Sequence, residues 1–83
     1  MDDAAKPLRF TRHARNRLRL WRLSEQAAAD VLRAPDTVSP TVHGRSNAWK
    51  LLGGRWVRVT FIDRAGAVVI ITVTVRRRGP EGA

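Results

Sequence analysis

The chain has no cysteine and no tyrosine, and only seven of its 83 residues are acidic. Without cysteine there are no disulfides and no thiolate metal sites. The acids stand singly apart from Asp2-Asp3, so no carboxylate cluster is in place to hold the paired divalent cations of a two-metal nuclease. Long apolar runs are missing as well. None approaches the roughly 20 residues needed to span a bilayer, and the opening MDDAAKPLRF, with two acids and no apolar stretch, does not read as a secretory signal. There is no P-loop and no G-x-G-x-x-G, and Ser24, Ser39 and Ser46 have no triad context. The expectation is a cytoplasmic protein that works without metal, cofactor or membrane.

What is abundant is arginine. Sixteen basic residues against seven acidic give a net charge of +9, and fourteen of the sixteen are arginine. Its planar fork of donors matches phosphate oxygens two at a time, which suits a polyanionic partner. A chain of this length makes one small domain, because it buries only about 60% of its unfolded surface. Residues 1–7 and 79–83 read as flexible tails around a domain of residues 8–78.

Thr11 fits the N-cap of a helix over RHARNRLRLW, residues 12–21. Ala14, Leu18 and Trp21 fall on one side of it, and Arg12, Arg15, Arg19 and Arg22 gather opposite. Ser24 caps a second helix, EQAAADVLRA, which buries Ala27, Ala28, Val31 and Leu32 and stops at Pro35. Strand patterns follow: DTVSPTV as an edge, NAWKLL, RWVRVTFI and AVVIITVTV, with Gly53-Gly54 and DRAG as hairpin turns. Helices first and strands afterwards predict an α+β domain. Its two N-terminal helices would pack on one face of a twisted antiparallel sheet of three to four strands, leaving the other face open.

Alternation sorts the strand residues. Val57, Val59 and Phe61 belong under the helices, whereas Trp56, Arg58 and Thr60 look the other way. Trp49 and Leu51 suit the core, which turns Lys50 outward. On the last strand Val69, Ile71, Val73 and Val75 make the apolar row, opposite Val68, Ile70, Thr72, Thr74 and Arg76. Lys50, Arg58 and Arg76 would therefore share the open face, continued by Arg77 and Arg78, as an RNA-binding surface. Trp56 beside them is a candidate for stacking a base. Val68 and Ile70 would give an acidic partner an apolar grip there.

The FTRHARNRL segment with its H-A-x-x-R core, then LSEQAAADVLRAPDTV, WK…GRWVRVTFI and VVIITVTVRRR, resembles a bacterial domain-of-unknown-function family related to the RelE/ParE toxin superfamily. The likeness spans about residues 8–78. It implies two helices on an antiparallel sheet and a concave basic surface that cuts mRNA on the ribosome. It further implies a toxin of a toxin–antitoxin system, neutralised by a cognate acidic antitoxin. Arg58 in WVRVTF matches the arginine of the family's strand motif, and Arg76 and Arg77 match the basic residues ending the next strand. The C-terminal Tyr or His-Tyr used by many such toxins is replaced by GPEGA. ParE-like relatives act on DNA gyrase instead, so a gyrase inhibitor or a non-catalytic RNA-binding module of the same fold stays open.

Metal-free RNA cleavage needs groups that move protons to and from the 2′- and 5′-oxygens, and cations for the developing phosphorane charge. Arginine holds its proton, so histidine is the first place to look for proton transfer. His13 precedes Arg17 by one helical turn, which makes His13 the candidate acid or base and Arg17 its partner at the phosphate. His43, in TVHGRS, is a second histidine that would contact RNA from a loop.

Overall fold

The computed structural model describes residues 6–80. Thr11 is extended and its side-chain oxygen accepts from the Ala14 N–H at 3.0 Å, opening α1 (Arg12–Trp21) with Ala14 and Leu18 buried. Arg22 ends α1 in the left-handed region (φ 56°), where its N–H reaches the Arg19 and Leu18 carbonyls, and the Leu23 N–H returns to Leu18 at 2.8 Å. This is a Schellman-type stop occupied by arginine instead of glycine. Ser24 repeats the N-cap for α2 (Glu25–Arg33), accepting from the Ala27 N–H at 3.0 Å, and Ala28 and Val31 are its buried residues.

The chain is α+β, but its sheet differs from the expectation in two ways. It has five strands, and it is mixed. The strands are β1 (Leu8–Phe10), β2 (Thr37–Pro40), β3 (Ser46–Leu52), β4 (Arg55–Asp63) and β5 (Val68–Arg76), in spatial order β1-β5-β4-β3-β2. β2 to β5 pair antiparallel, whereas β1 runs parallel to β5, matching Leu8 with Val68 and Phe10 with Ile70. A strand therefore precedes the helices, so they are not the first elements of the fold. Three residues are too short to show a strand period, and their partner lies some 60 residues away in sequence.

The stretch before β1 is also engaged. The Pro7 carbonyl accepts from the Val68 N–H at 3.0 Å. The Lys6 ammonium pairs with Asp63 and donates to the Arg64 carbonyl at 2.7 Å, tying this end to the β4–β5 turn. Residues 1–5 and 81–83, the remainder of the expected tails apart from Gly79 and Pro80, lie outside the described residues.

Gly53 and Gly54, at φ 57° and 83°, make the two-residue β3–β4 hairpin that the sequence signals. Between β2 and β3 a single 3₁₀-type turn, Val42–Gly44, puts His43 and Gly44 at φ 60° and 73°, closed by the Arg45 N–H to the Val42 carbonyl at 3.1 Å. α1 packs on β5, and α2 on β4 and β3. Among the described residues no helix is long and apolar enough to cross a membrane.

One irregularity orients β5. Thr60 faces Thr72, but the next β4 residue, Phe61, faces Ile70, so Ile71 is an extra residue without a cross-strand partner. This bulge reverses the alternation of β5. Val73 and the fully buried Ile70 thus both lie under the helices. Val68 joins them against the core, which corrects the continuous Val69–Val75 row expected from strict alternation.

The Thr11 hydroxyl serves twice, accepting from Ala14 and donating to the Ile71 carbonyl at 3.1 Å. Thr11→Ala should lower unfolding stability by about 1–2 kcal/mol, the upper range of a cap loss, and Thr11→Ser should restore most of it. Urea melts of the three proteins check this. Equal midpoints for Ala and Thr would mean that the cap and the bulge contact are both dispensable.

Candidate nucleic-acid interface

The side of the sheet away from the helices is built in rungs. Asn47, Thr60 and Thr72 lie across one; Trp49, Arg58 and Thr74 across the next; Leu51, Trp56 and Arg76 across the third. The first is held by the Thr60 hydroxyl bonding Asn47 Oδ1 at 2.6 Å. In the second, Arg58 donates from Nη2 to the Thr74 hydroxyl at 3.2 Å, and its guanidinium carbon lies 5.6 Å from the centre of the Trp49 ring. Arg58 is half-buried in mid-strand because its stem lies on this surface and its charge rests over an indole.

His13 enters from the edge. It is an exposed residue of α1, yet its Nε2 is 3.0 Å from the Thr72 hydroxyl. Thr11 lies beside Ile70 and Ile71, and His13 beside Thr72, so α1 advances in the direction of β5. A helical turn rises about 5.4 Å and two strand residues span about 7 Å, which carries Arg17 from the level of Thr72 toward that of Thr74. His13, Thr72, Thr74, Arg58 and Arg76 thus lie along β5 and its β4 neighbour, with Arg17 one turn further along α1 from His13. The threonines were not singled out as site residues; their recurrence on every second position of β5 was the available signal.

Other predicted residues fall elsewhere. Lys50 pairs with Val57 on the helix-covered side, and its ammonium donates to the Ala34 carbonyl, beyond the end of α2, at 2.8 Å. It leaves the basic face, drawn by the partial negative charge of a helix C-terminus. Trp49 takes its place on the open face, nearly buried under Arg58 instead of in the core. Val68 and Ile70 give no grip on this face. Val68 instead lines a cleft of about 450 Å³ on the helix side with Leu8, Leu32 and Phe61. His43 is exposed at the tip of the β2–β3 turn. Arg77 and Arg78 follow β5 and are exposed.

Trp56 is on the open face but is not free. A Cβ built on Gly79 would stand 2.5 Å from Trp56 Cε2 and 2.7 Å from Nε1, so the Gly79 backbone lies directly on the indole. The segment after β5 therefore occupies the place a stacked base would take.

None of the four described acids is paired with the charge on this face. Burial, and secondarily the positive charge of Arg76, push the Arg58 guanidinium below its ordinary value. Arg58 Nε is enclosed and has no hydrogen-bond partner. The four described acids are engaged away from it: Asp63 with Lys6, Glu25 with Arg15, Asp30 with Arg33, and Asp36 with the Leu51 N–H. Among the described residues no three His, Cys, Asp or Glu side chains come together as metal ligands. A half-buried cation repelled by its neighbour would be favoured by an anion beside it.

No family model matches the chain, and no curated protein or solved structure matches it. The RelE/ParE resemblance rests on the quoted motifs alone.

Two outcomes are expected. Arg58→Met should melt within a few degrees of the parent or above it, because the desolvated charge and its repulsion from Arg76 are removed while the stem is kept; a large drop would mean that the Thr74 and Trp49 contacts hold the sheet together. Gly79→Val should shift the Trp56 indole N–H resonance and leave those of Trp21 and Trp49 in place, since the added methyl groups cannot fit against the ring. An unchanged spectrum would place the segment elsewhere in solution.

Proposed function

We propose that the open face binds single-stranded RNA and cleaves it without metal, as a RelE/ParE-like toxin acting on mRNA, with the ribosome as the setting and an acidic antitoxin as the neutralising partner in the cytoplasm. The observation that carries this reading is the His13–Thr72 contact at 3.0 Å. It brings a proton-transfer group from α1 to the edge of the face on which Arg58 and Arg76 stand, neither of them paired with a described acid.

In this reading Arg58 and Arg76 hold the scissile phosphate and Arg17 approaches it from α1. The 2′-oxygen attacks the adjacent phosphorus and the bond to the 5′-oxygen breaks. The 2′-hydroxyl proton leaves and the 5′-oxygen gains one, with His13 serving one of these transfers and Thr72 orienting its ring. The products are a 2′,3′-cyclic phosphate and a 5′-hydroxyl. The charge of the phosphorane is met by guanidinium groups already in place, the arrangement that most lowers such a barrier.

A 2′-deoxyribose at the cut position should bind and resist cutting, and EDTA should leave the rate unchanged. His13→Ala should slow single-turnover cleavage by about 10²-fold with RNA affinity retained. Thr72→Val should do the same to a lesser degree and alter the pH profile, as expected of a positioning residue. Metal-dependent cutting would overturn the mechanism. A second reading has its own support: Arg58 is already bonded to Thr74, and the chain lacks the tyrosine of many such toxins. If the protein cuts neither free nor ribosome-bound RNA, that reading, an RNA-binding module or a gyrase inhibitor, takes its place.

A further inference from the structure

Arg45 follows His43 and Gly44 in the β2–β3 turn and has no role in the readings above. It stands one residue before β3 with an extended backbone (φ −90°, ψ 161°). Ser46 beside it pairs with Phe61 on the helix-covered side, so alternation carries Arg45 to the other side, with Asn47 and Trp49. Arg45 is half-buried, and its Nε is enclosed without a hydrogen-bond partner, the same condition as Arg58 Nε. An enclosed donor without an acceptor opposes folding, so nothing in the fold's own bonding accounts for it. Neither arginine takes part in the ion pairs of Lys6, Arg15 and Arg33.

Their positions form a line. Arg45 precedes the Asn47–Thr60–Thr72 rung, Arg58 is one rung beyond it, and Arg76 is two beyond, on three successive strands of the sheet. Successive rungs on one face are about 7 Å apart. The cations therefore cross the sheet on a diagonal, with the polar Asn47, Thr60 and Thr74 side chains between them. An extended sugar–phosphate backbone can follow such a diagonal, taking a guanidinium at intervals and hydroxyl contacts between.

We propose that Arg45 is a phosphate-binding residue and the first of three arginines, with Arg58 and Arg76, that track the backbone of a single-stranded polynucleotide diagonally across the open face. The inference rests on reading that face as an RNA surface, and it states how the strand lies on it. Arg55 is the control. It is exposed at the β3–β4 hairpin and pairs with Leu52 on the helix side, so its removal takes away the same charge from the wrong face.

The experiment measures binding of a short fluorescein-labelled oligouridylate over a salt series, and in parallel the melting temperature with and without inorganic pyrophosphate. Arg45→Gln should weaken oligouridylate binding by about ten-fold and flatten the log–log salt slope by about 0.7, the contribution of one single-strand phosphate. Arg45→Lys should recover part of both, and Arg55→Gln should match the parent. Parent-like affinity and slope in Arg45→Gln would overturn the placement of Arg45 while leaving the RNA surface standing. If the parent binds no oligouridylate at low salt, the RNA reading fails and the pyrophosphate arm decides. Stabilisation by pyrophosphate that Arg45→Gln loses supports Arg45 as an anion ligand, and equal behaviour of the two proteins overturns it. If both Arg45→Gln and Arg45→Lys fail to fold, Arg45 is a structural residue and the proposal falls.

Discussion

The single extra residue in β5 is the constraint from which the rest follows. With strict alternation, one strand could not bury Ile70 and Val73 on the same side. The bulge at Ile71 lets β5 place Val68 and Ile70 beside Phe61, then Val73 and Val75 beside Val59 and Val57, while Thr72, Thr74 and Arg76 turn to the open side. The freed Ile71 carbonyl is taken by the Thr11 hydroxyl, which also caps α1. That one side chain fixes where the helix starts relative to the strand. His13 then stands opposite Thr72, so core packing and the candidate chemistry share an origin.

The local signals were legible because their causes are local. Thr11 and Ser24 each lie three residues before the N–H they accept from, and the paired glycines at 53 and 54 demand a hairpin whatever surrounds them. The face of β4 was legible too, since Val57 and Val59 flank Arg58 without ambiguity. In β3 the two rows of SNAWKLL compete, and hydropathy favours Trp49 and Leu51 for the core. The structure buries Ala48 there instead, because the Ala28 and Val31 surface of α2 comes close enough to favour a small residue. The bulge and β1 were illegible for a shared reason: both are defined by distant partners, and their few residues carry no period of their own.

The two sides of the sheet treat charge in opposite ways. On the helix side Lys50 spends its ammonium on a carbonyl beyond the end of α2, a structural use that helps close the layer. On the open side Arg58 is pressed against Trp49 and beside Arg76, and its burial opposes its charge. Stability alone would favour an apolar side chain at such a position. The four described acids stand near other partners, and none of those four is paired with the arginines of this face. This asymmetry is what supports the proposal that the open face binds an anion.

The threonines reconcile these demands. A β-branched side chain suits the pleated strand as well as valine does, so Thr60, Thr72 and Thr74 cost the sheet little. Their hydroxyls accept from Arg58, meet His13 and bond Asn47, giving each polar neighbour a fixed position that valine could not. Rigid strands are better supports for such groups than loops, because a backbone paired on both sides leaves only side-chain rotation to be fixed. β4 is paired on both sides over this region, whereas β5 beyond Ile70 pairs with β4 alone and has α1 packed against it. Arg58 and Thr60 therefore stand on the best-held strand of the sheet, and Thr72 and Thr74 stand on the edge that His13 reaches from α1.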